Sequence, residues 1–136
     1  MTEIFEKNCS GGFDSFEIGV DLAEISRFEL DRTRDASFLN RIFSKDEIGY
    51  CFSRPDPAQH LAARFAAKEA AVKALSACGA IISDWKKIEI ANDRSGRPVL
   101  SLPAKTRLSD KVSLSHSAGQ AIAFVIVYGR DNKPTL

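Results

Sequence analysis

The chain has 136 residues, 44% of them hydrophobic, with nineteen Lys and Arg set against eighteen Asp and Glu. That is the length of one domain, enough to bury roughly two-thirds of its unfolded surface without disulfide or metal staples. The near-zero net charge speaks against a general nucleic-acid binder, no apolar run approaches the ~18 residues of a membrane span, and the start, MTEIFEKNCSGGFD, lacks the basic-then-apolar pattern of a secretory signal.

Residues 1 to 14 are polar, carry Ser10-Gly11-Gly12 and read as a loose extension. Residues 15 to 130 read as a single domain, and 131 to 136 as a polar tail. Cys9, Cys51 and Cys78 are odd in number and widely spaced. Neither a disulfide framework nor a zinc pattern fits them, so reduced thiols in a cytoplasmic protein are the simplest expectation.

Residues 16 to 22, FEIGVDL, alternate apolar and polar, which predicts a strand with one buried face. Phe16, Ile18, Val20 and Leu22 form the expected packed face, and Asp21 is expected to point away from it. Residues 23 to 33 predict a short helix, and 36 to 53 a second helical region. In the latter, Ser44 and Glu47 have the spacing of a capping box ahead of Ile48, Cys51 and Phe52. Pro55 and Pro57 then break the chain.

The clearest helix follows at 58 to 78, AQHLAARFAAKEAAVKALSAC, rich in alanine. Leu61, Phe65, Val72 and Leu75 share a stripe at 3.6 residues per turn, and Gly79 suits the position beyond its end. Residues 86 to 91 and 99 to 102 predict a hairpin around the turn NDRSGRP. Two more strands, 112 to 115 and 121 to 128, flank HSAGQ. AIAFVIVY is apolar on both faces and is expected to be central. The expected class is α+β, an antiparallel sheet packed around one long helix.

Several residues on this framework invite chemistry. Lys68 falls in the middle of the apolar stripe, which is costly unless its stem snorkels or an anion lies beside it. Glu69 and Lys73 are one helical turn apart, the spacing of an ordinary surface ion pair. With Asp21 as a second carboxylate they would instead suit Mg²⁺, which keeps several waters and binds phosphate oxygens. Arg64, Lys68 and Lys73 would then surround a polyphosphate. His116 sits where a strand ends in the turn SLSHS, either as a hydrogen-bonded turn residue or as a ligand contact shared with Ser115 and Ser117.

Taken in order, these segments resemble the holo-acyl-carrier-protein synthases, the small homotrimeric branch of the 4′-phosphopantetheinyl transferases. Ile18-Gly19-Val20-Asp21-Leu22, followed by Glu24-Ile25-Ser26-Arg27-Phe28, is similar to their N-terminal signature. Leu61 to Leu75, LAARFAAKEAAVKAL, is similar to their central helix and is the most specific match. Gly96-Arg97-Pro98 resembles their Gly-basic-Pro turn, and Ser113 to Ser117 with Ala121 to Val127 their C-terminal hairpin.

The resemblance implies the transferase fold and the transfer of phosphopantetheine from coenzyme A to a serine of apo-acyl carrier protein. Adenosine 3′,5′-bisphosphate would be the other product. It implies Asp21 and Glu69 as Mg²⁺ ligands and Lys73 at the diphosphate. Arg64, His116 and Ser117 would belong to the coenzyme A site, with Gly96, Arg97 and Pro98 at the adenine end. Lys68 would be relieved by the anionic ligand. Arg27 would face the carrier protein, and the pocket would lie between subunits of a homotrimer. Neither nucleic acid nor membrane is an expected partner.

Two segments depart from the family pattern. Ser76-Ala77-Cys78 stand where the family often has a Gly-Thr-Gly turn, and Pro55-Asp56 stand about where many members carry a basic pair. These departures keep two competing readings in view. One is a module that binds coenzyme A or a carrier protein without catalysis, and the other is a Mg²⁺-dependent hydrolase of a diphosphate ester.

Overall fold

A computed structural model describes residues 16–103 and 106–129. The extension 1–14 and the tail 131–136 lie outside the described residues. The alternation at the start does form a strand, β1 (Phe16–Glu24). A single 3₁₀ turn, Ile25–Phe28, follows it in place of the expected helix over 23–33. The second helical region is divided into α1 (Ala36–Ile42) and α2 (Lys45–Phe52). The break falls at Ser44, whose side chain accepts from Glu47 N–H while the Glu47 carboxylate accepts from Ser44 N–H, a complete capping box.

The long helix α3 (Pro57–Ala77) starts with Pro57 in its first turn, where the missing N–H costs no hydrogen bond. It ends with Gly79 at φ 87°. Gly79 N–H donates to Ser76 C=O and Ala80 N–H to Leu75 C=O, the paired bonds of a Schellman motif. Ser76-Ala77-Cys78 therefore extends the helix toward a glycine stop rather than turning at once. A second 3₁₀ turn (Trp85–Lys87) leads into β2 (Glu89–Asn92) and β3 (Pro98–Ser101). The chain closes with β4 (Leu108–His116) and β5 (Gln120–Gly129).

Among the described residues two antiparallel sheets result, one ordered β1-β5-β4 and one formed by β2 and β3. The apolar run AIAFVIVY is central, as expected. α3 packs across β1 and β5, and its alanines, from Ala62 to Ala74, fill the core with Leu61 and Leu75. Facing them are Ala23, Ala121, Ala123, Val125 and Val127. Cys51 is buried and free, its thiol pushed up to about 11 by burial. Cys78 is buried just beyond the end of α3.

The strand assignment of β1 holds, but its faces are the reverse of those expected. Phe16, Ile18, Val20 and Leu22 are 49–57% exposed, while Gly19 and Ala23 are buried. The helix lies on the small-residue side because small residues permit close approach. A Cβ placed on Gly19 would stand 1.8 Å from the carbonyl oxygen of Ala70. Asp21 thus points to the helix side of the strand rather than away from the packing. The outer face, joined by Ile122 and Phe124 of β5, is an exposed apolar surface.

Candidate active site

The close approach of β1 to α3 creates the first cluster. Asp21 follows Gly19 on the same face of the strand, and its Oδ1 lies 3.1 Å from Lys73 Nζ. The same ammonium donates to the Val20 carbonyl at 3.0 Å. Glu69, one turn before Lys73, completes the group. Partial burial and the Asp21 charge both push its carboxyl above the ordinary glutamate range, with Lys73 opposing. Two carboxylates held together at some electrostatic cost, with a half-exposed lysine beside them, are hard oxygen donors suited to a divalent cation. Among the described residues no group of three or more His, Cys, Asp or Glu has metal-binding geometry. A two-carboxylate site fits an ion that retains most of its water.

A second cluster lies on another side of the helix. Residues 64, 69 and 73 differ by about 140° and 180° around the axis, so Arg64 points away from Glu69 and Lys73. Arg64 is 3% exposed. Its Nη2 donates to Asn92 Oδ1 at 2.6 Å, and its guanidinium lies 4.2 Å from the Tyr50 ring centroid. Asn92 ends β2 and opens the turn carrying Gly96, Arg97 and Pro98. Asp93 Oδ1 organises that turn by accepting from Ser95 N–H, Arg97 N–H and Ser95 Oγ, and Gly96 adopts φ 86° within it. The predicted residues Arg64 and Gly96–Pro98 are thereby brought together. Asn92 and Tyr50, which link and flank them, carried no recognisable signal in the sequence.

His116 ends β4, exposed, with its Nε2 2.8 Å from Gln59 Nε2 of α3. Ser117 N–H donates to Gln120 C=O and closes the β4–β5 turn. By strand register His116 is paired with Ala121, itself opposite Ala23. It therefore stands on the other edge of the sheet from Asp21, two strands across and two residues along, roughly 12 Å away. Arg27 is exposed on the 3₁₀ turn after β1. One copy of the chain thus presents Asp21, Glu69 and Lys73 on one side, and Arg64 with the 93–98 turn on another.

Lys68 belongs to neither group, which corrects its expected place at an anionic ligand. It is fully buried. Its Nζ pairs with Glu47 Oε1 at 2.8 Å and donates to the carbonyls of Trp85 and Ile88. Burial holds its pKa below the ordinary lysine value, with Glu47 opposing. The carboxylate that relieves Lys68 is internal, and it comes from the capping box of α2.

His60 packs edge-on against Tyr50 at 5.7 Å. Its pKa lies below the usual 6.5 through burial and the neighbouring Arg64 and Arg54 charges. As pH falls through 6.5, the unfolded chain takes up this proton before the folded chain does. His60 therefore lowers stability on acidification. His60→Gln is expected to flatten the loss of stability between about pH 7.5 and pH 5, read from urea midpoints. An unchanged slope would remove His60 from the acid response.

Comparison with known proteins gives the chain a family. The profile of the 4′-phosphopantetheinyl transferase superfamily matches residues 17–125. The chain belongs to that superfamily. A holo-[acyl-carrier-protein] synthase of Syntrophus aciditrophicus (strain SB) is 46% identical over 120 residues, covering 82% of this chain and 94% of the relative. One from Protochlamydia amoebophila (strain UWE25) is 44% identical over 115 residues, 80% of this chain and 94% of the relative. Among solved structures, the Chronobacterium ammoniagenes ACPS–CoA complex superposes with a TM-score of 0.73 at 30% identity, covering 85% of this chain and 98% of the other. The Bacillus anthracis str. Ames holo-(acyl-carrier-protein) synthase in complex with CoA (3′,5′-ADP) gives 0.69 at 31% identity, covering 83% and 96%. The α+β architecture with one long helix is therefore that of the phosphopantetheinyl transferase superfamily. Asp21, Glu69, Lys73, Arg64 and the Gly96–Pro98 turn all lie within the matched span.

Proposed function

We propose that the chain is a holo-acyl-carrier-protein synthase, transferring 4′-phosphopantetheine from coenzyme A to a serine of apo-acyl carrier protein. The observation that carries this reading is the Asp21–Glu69–Lys73 cluster, set where β1 and α3 meet. The serine hydroxyl forms a bond to the β-phosphorus of coenzyme A. The bond from that phosphorus to the bridging oxygen breaks, and adenosine 3′,5′-bisphosphate leaves. Asp21 and Glu69 would hold Mg²⁺, which when bound supplies charge neutralisation at the diphosphate. Lys73, half-exposed, would add a positive charge at the same oxygens. Glu69, Asp21 or a water beside them would accept the hydroxyl proton.

The two clusters lie on different sides of one helix, which favours a site completed by a second copy. The Gly96–Pro98 turn, Arg64, His116 and Ser117 of one protomer would then face Asp21, Glu69 and Lys73 of its neighbour. The exposed apolar face formed by Phe16, Ile18, Val20, Leu22, Ile122 and Phe124 supplies a surface for assembly as a homotrimer. Arg27 would meet the acidic carrier protein. Arg32 and Lys45, which line one cleft of about 300 Å³ with Leu39, Asn40 and Ile48, would add further positive charge for that partner.

The test is a mass gain on an apo-acyl carrier protein incubated with this protein, coenzyme A and Mg²⁺. Loading is expected, and no loading of several cognate carriers would sink the reading. Calorimetric binding of coenzyme A without turnover would indicate a binding module. Release of free phosphopantetheine in the absence of carrier would indicate a hydrolase. Glu69→Gln is expected to reduce loading by roughly a hundredfold or more. Its melting temperature should stay level or rise, because one of two mutually repelling carboxylates is removed. Near wild-type loading by this variant would take Glu69 out of the site.

A further inference from the structure

Arg64 poses an electrostatic problem that the fold leaves open. A guanidinium that is 3% exposed is costly to bury unless its charge is met. Among the described residues no carboxylate pairs with it, and its buried Nε has no hydrogen-bond partner. What it does have is the π face of Tyr50 and a single short hydrogen bond to Asn92 Oδ1. A cation held in place but not neutralised is preorganised for an anion.

Asn92 is fixed at both ends. Its Oδ1 accepts from Arg64 at 2.6 Å and its Nδ2 donates to the Gly96 carbonyl at 3.0 Å. Arginine has no acceptor and a carbonyl has no donor, so the amide has only one workable orientation. The Gly96 carbonyl is itself set by the left-handed glycine and by the three bonds that Asp93 Oδ1 accepts. The conformation of the turn is therefore passed through one side chain to the guanidinium on α3. We propose that Asn92 is a positioning residue that locks Arg64 and the Gly96–Pro98 turn into one rigid anion-binding unit. The anion is a phosphate group of coenzyme A. This rests on the transferase reading for the identity of the ligand.

A residue that preorganises a binding cation alters ground-state affinity more than the chemical step. Asn92→Ala is expected to raise KM for coenzyme A roughly tenfold, the scale of one charge-assisted hydrogen bond. It should leave kcat at saturation and KM for the carrier within about twofold. Asn92 is exposed at a strand end, so the variant should fold and melt near wild type. Coenzyme A affinity by calorimetry gives the same comparison without turnover, which keeps this test separate from the carrier-loading test. Using 3′-dephospho-coenzyme A distinguishes the phosphates. Loss of the Asn92→Ala effect with that ligand assigns the terminal phosphate, and its persistence assigns the diphosphate.

The control is Arg64→Lys, which keeps the charge but loses the planar fork. If Asn92 acts through Arg64, adding Asn92→Ala to Arg64→Lys should weaken coenzyme A binding little further. An unchanged affinity in Asn92→Ala overturns the proposal, and so does an equal loss in both backgrounds. An Arg64→Gln variant that binds coenzyme A like wild type overturns it as well, by showing that no charge at this position meets the ligand. Failure of wild-type protein to load any carrier, with coenzyme A binding and its Asn92 dependence intact, would instead defeat only the transferase reading.

Discussion

Replacing Lys68 by Met is expected to lower folding stability by about 3–5 kcal/mol, the scale for removing one partner of a buried ion pair. The Glu47 carboxylate would remain in the core without a counter-charge. The carbonyls of Trp85 and Ile88 would lose their donor as well. Against a total stability of about 5–15 kcal/mol, that loss is large. It corresponds to a fall in Tm of roughly 10–20 °C for a domain of this size.

The double variant Glu47→Leu with Lys68→Met removes the stranded charge and should recover part of the loss. Recovery should be incomplete, because the Glu47 oxygens also accept from Ser44 N–H and Ile90 N–H. Those two donors anchor the start of α2 and the entry to β2, and leucine offers neither an acceptor. Thermal melts and urea midpoints on the three proteins check the order wild type, double, single. A single variant that melts within about 3 °C of wild type would mean that the pair contributes almost nothing.

Lys68 also shows where sequence reading stops. Its position on a buried stripe was legible from periodicity alone, and so were the two ways of relieving it, a snorkelling stem or an adjacent anion. Which anion was not legible, because Glu47 lies twenty-one positions away and already had an assigned local role in the capping box. The same carboxylate serves both the cap and the pair, and only the packing of α2 against α3 brings them together. Arg64 behaves similarly. Its partner Asn92 is a common turn residue at the end of a short strand, and nothing in its local spacing marks it. By contrast, α3, the β2–β3 hairpin and the central β5 were legible because alanine content, turn residues and a two-sided apolar run act locally. The faces of β1 are not legible from hydrophobicity. Phe16, Ile18, Val20 and Leu22 are the more apolar residues, yet the helix packs on the side of Gly19 and Ala23. In a core filled by alanine, closeness of backbones decides the contact, and large side chains would hold the helix away.

The same closeness makes Gly19→Ala the substitution that should disturb both fold and site. The added methyl carbon would meet Ala70 O at 1.8 Å, Ala70 C at 2.8 Å and Ala74 N at 3.1 Å. All three are backbone atoms in the middle of α3, so no rotamer change can relieve the overlap. Either β1 or the helix must move, and β1 is tied along its length to β5 from Phe16 opposite Tyr128 to Glu24 opposite Gln120. Overpacking a core by one methyl group commonly costs about 1–3 kcal/mol, and a conflict with fixed backbone belongs at or above the upper end of that range. The loss should appear as a lower urea midpoint. The displacement also has a chemical consequence. Asp21 is two residues further along the same face, and its 3.1 Å contact with Lys73 depends on the present spacing of strand and helix. Moving the strand outward should therefore raise the Mg²⁺ concentration needed for half-maximal carrier loading in the folded fraction, beyond what unfolding removes. Measuring loading against Mg²⁺ concentration at a temperature where the variant is fully folded separates the two effects. A variant with wild-type stability and a wild-type Mg²⁺ profile would show that Gly19 does not set the distance between the two proposed metal carboxylates. If stability falls and the profile is unchanged, Gly19 governs packing alone, and another contact must hold Asp21 in place.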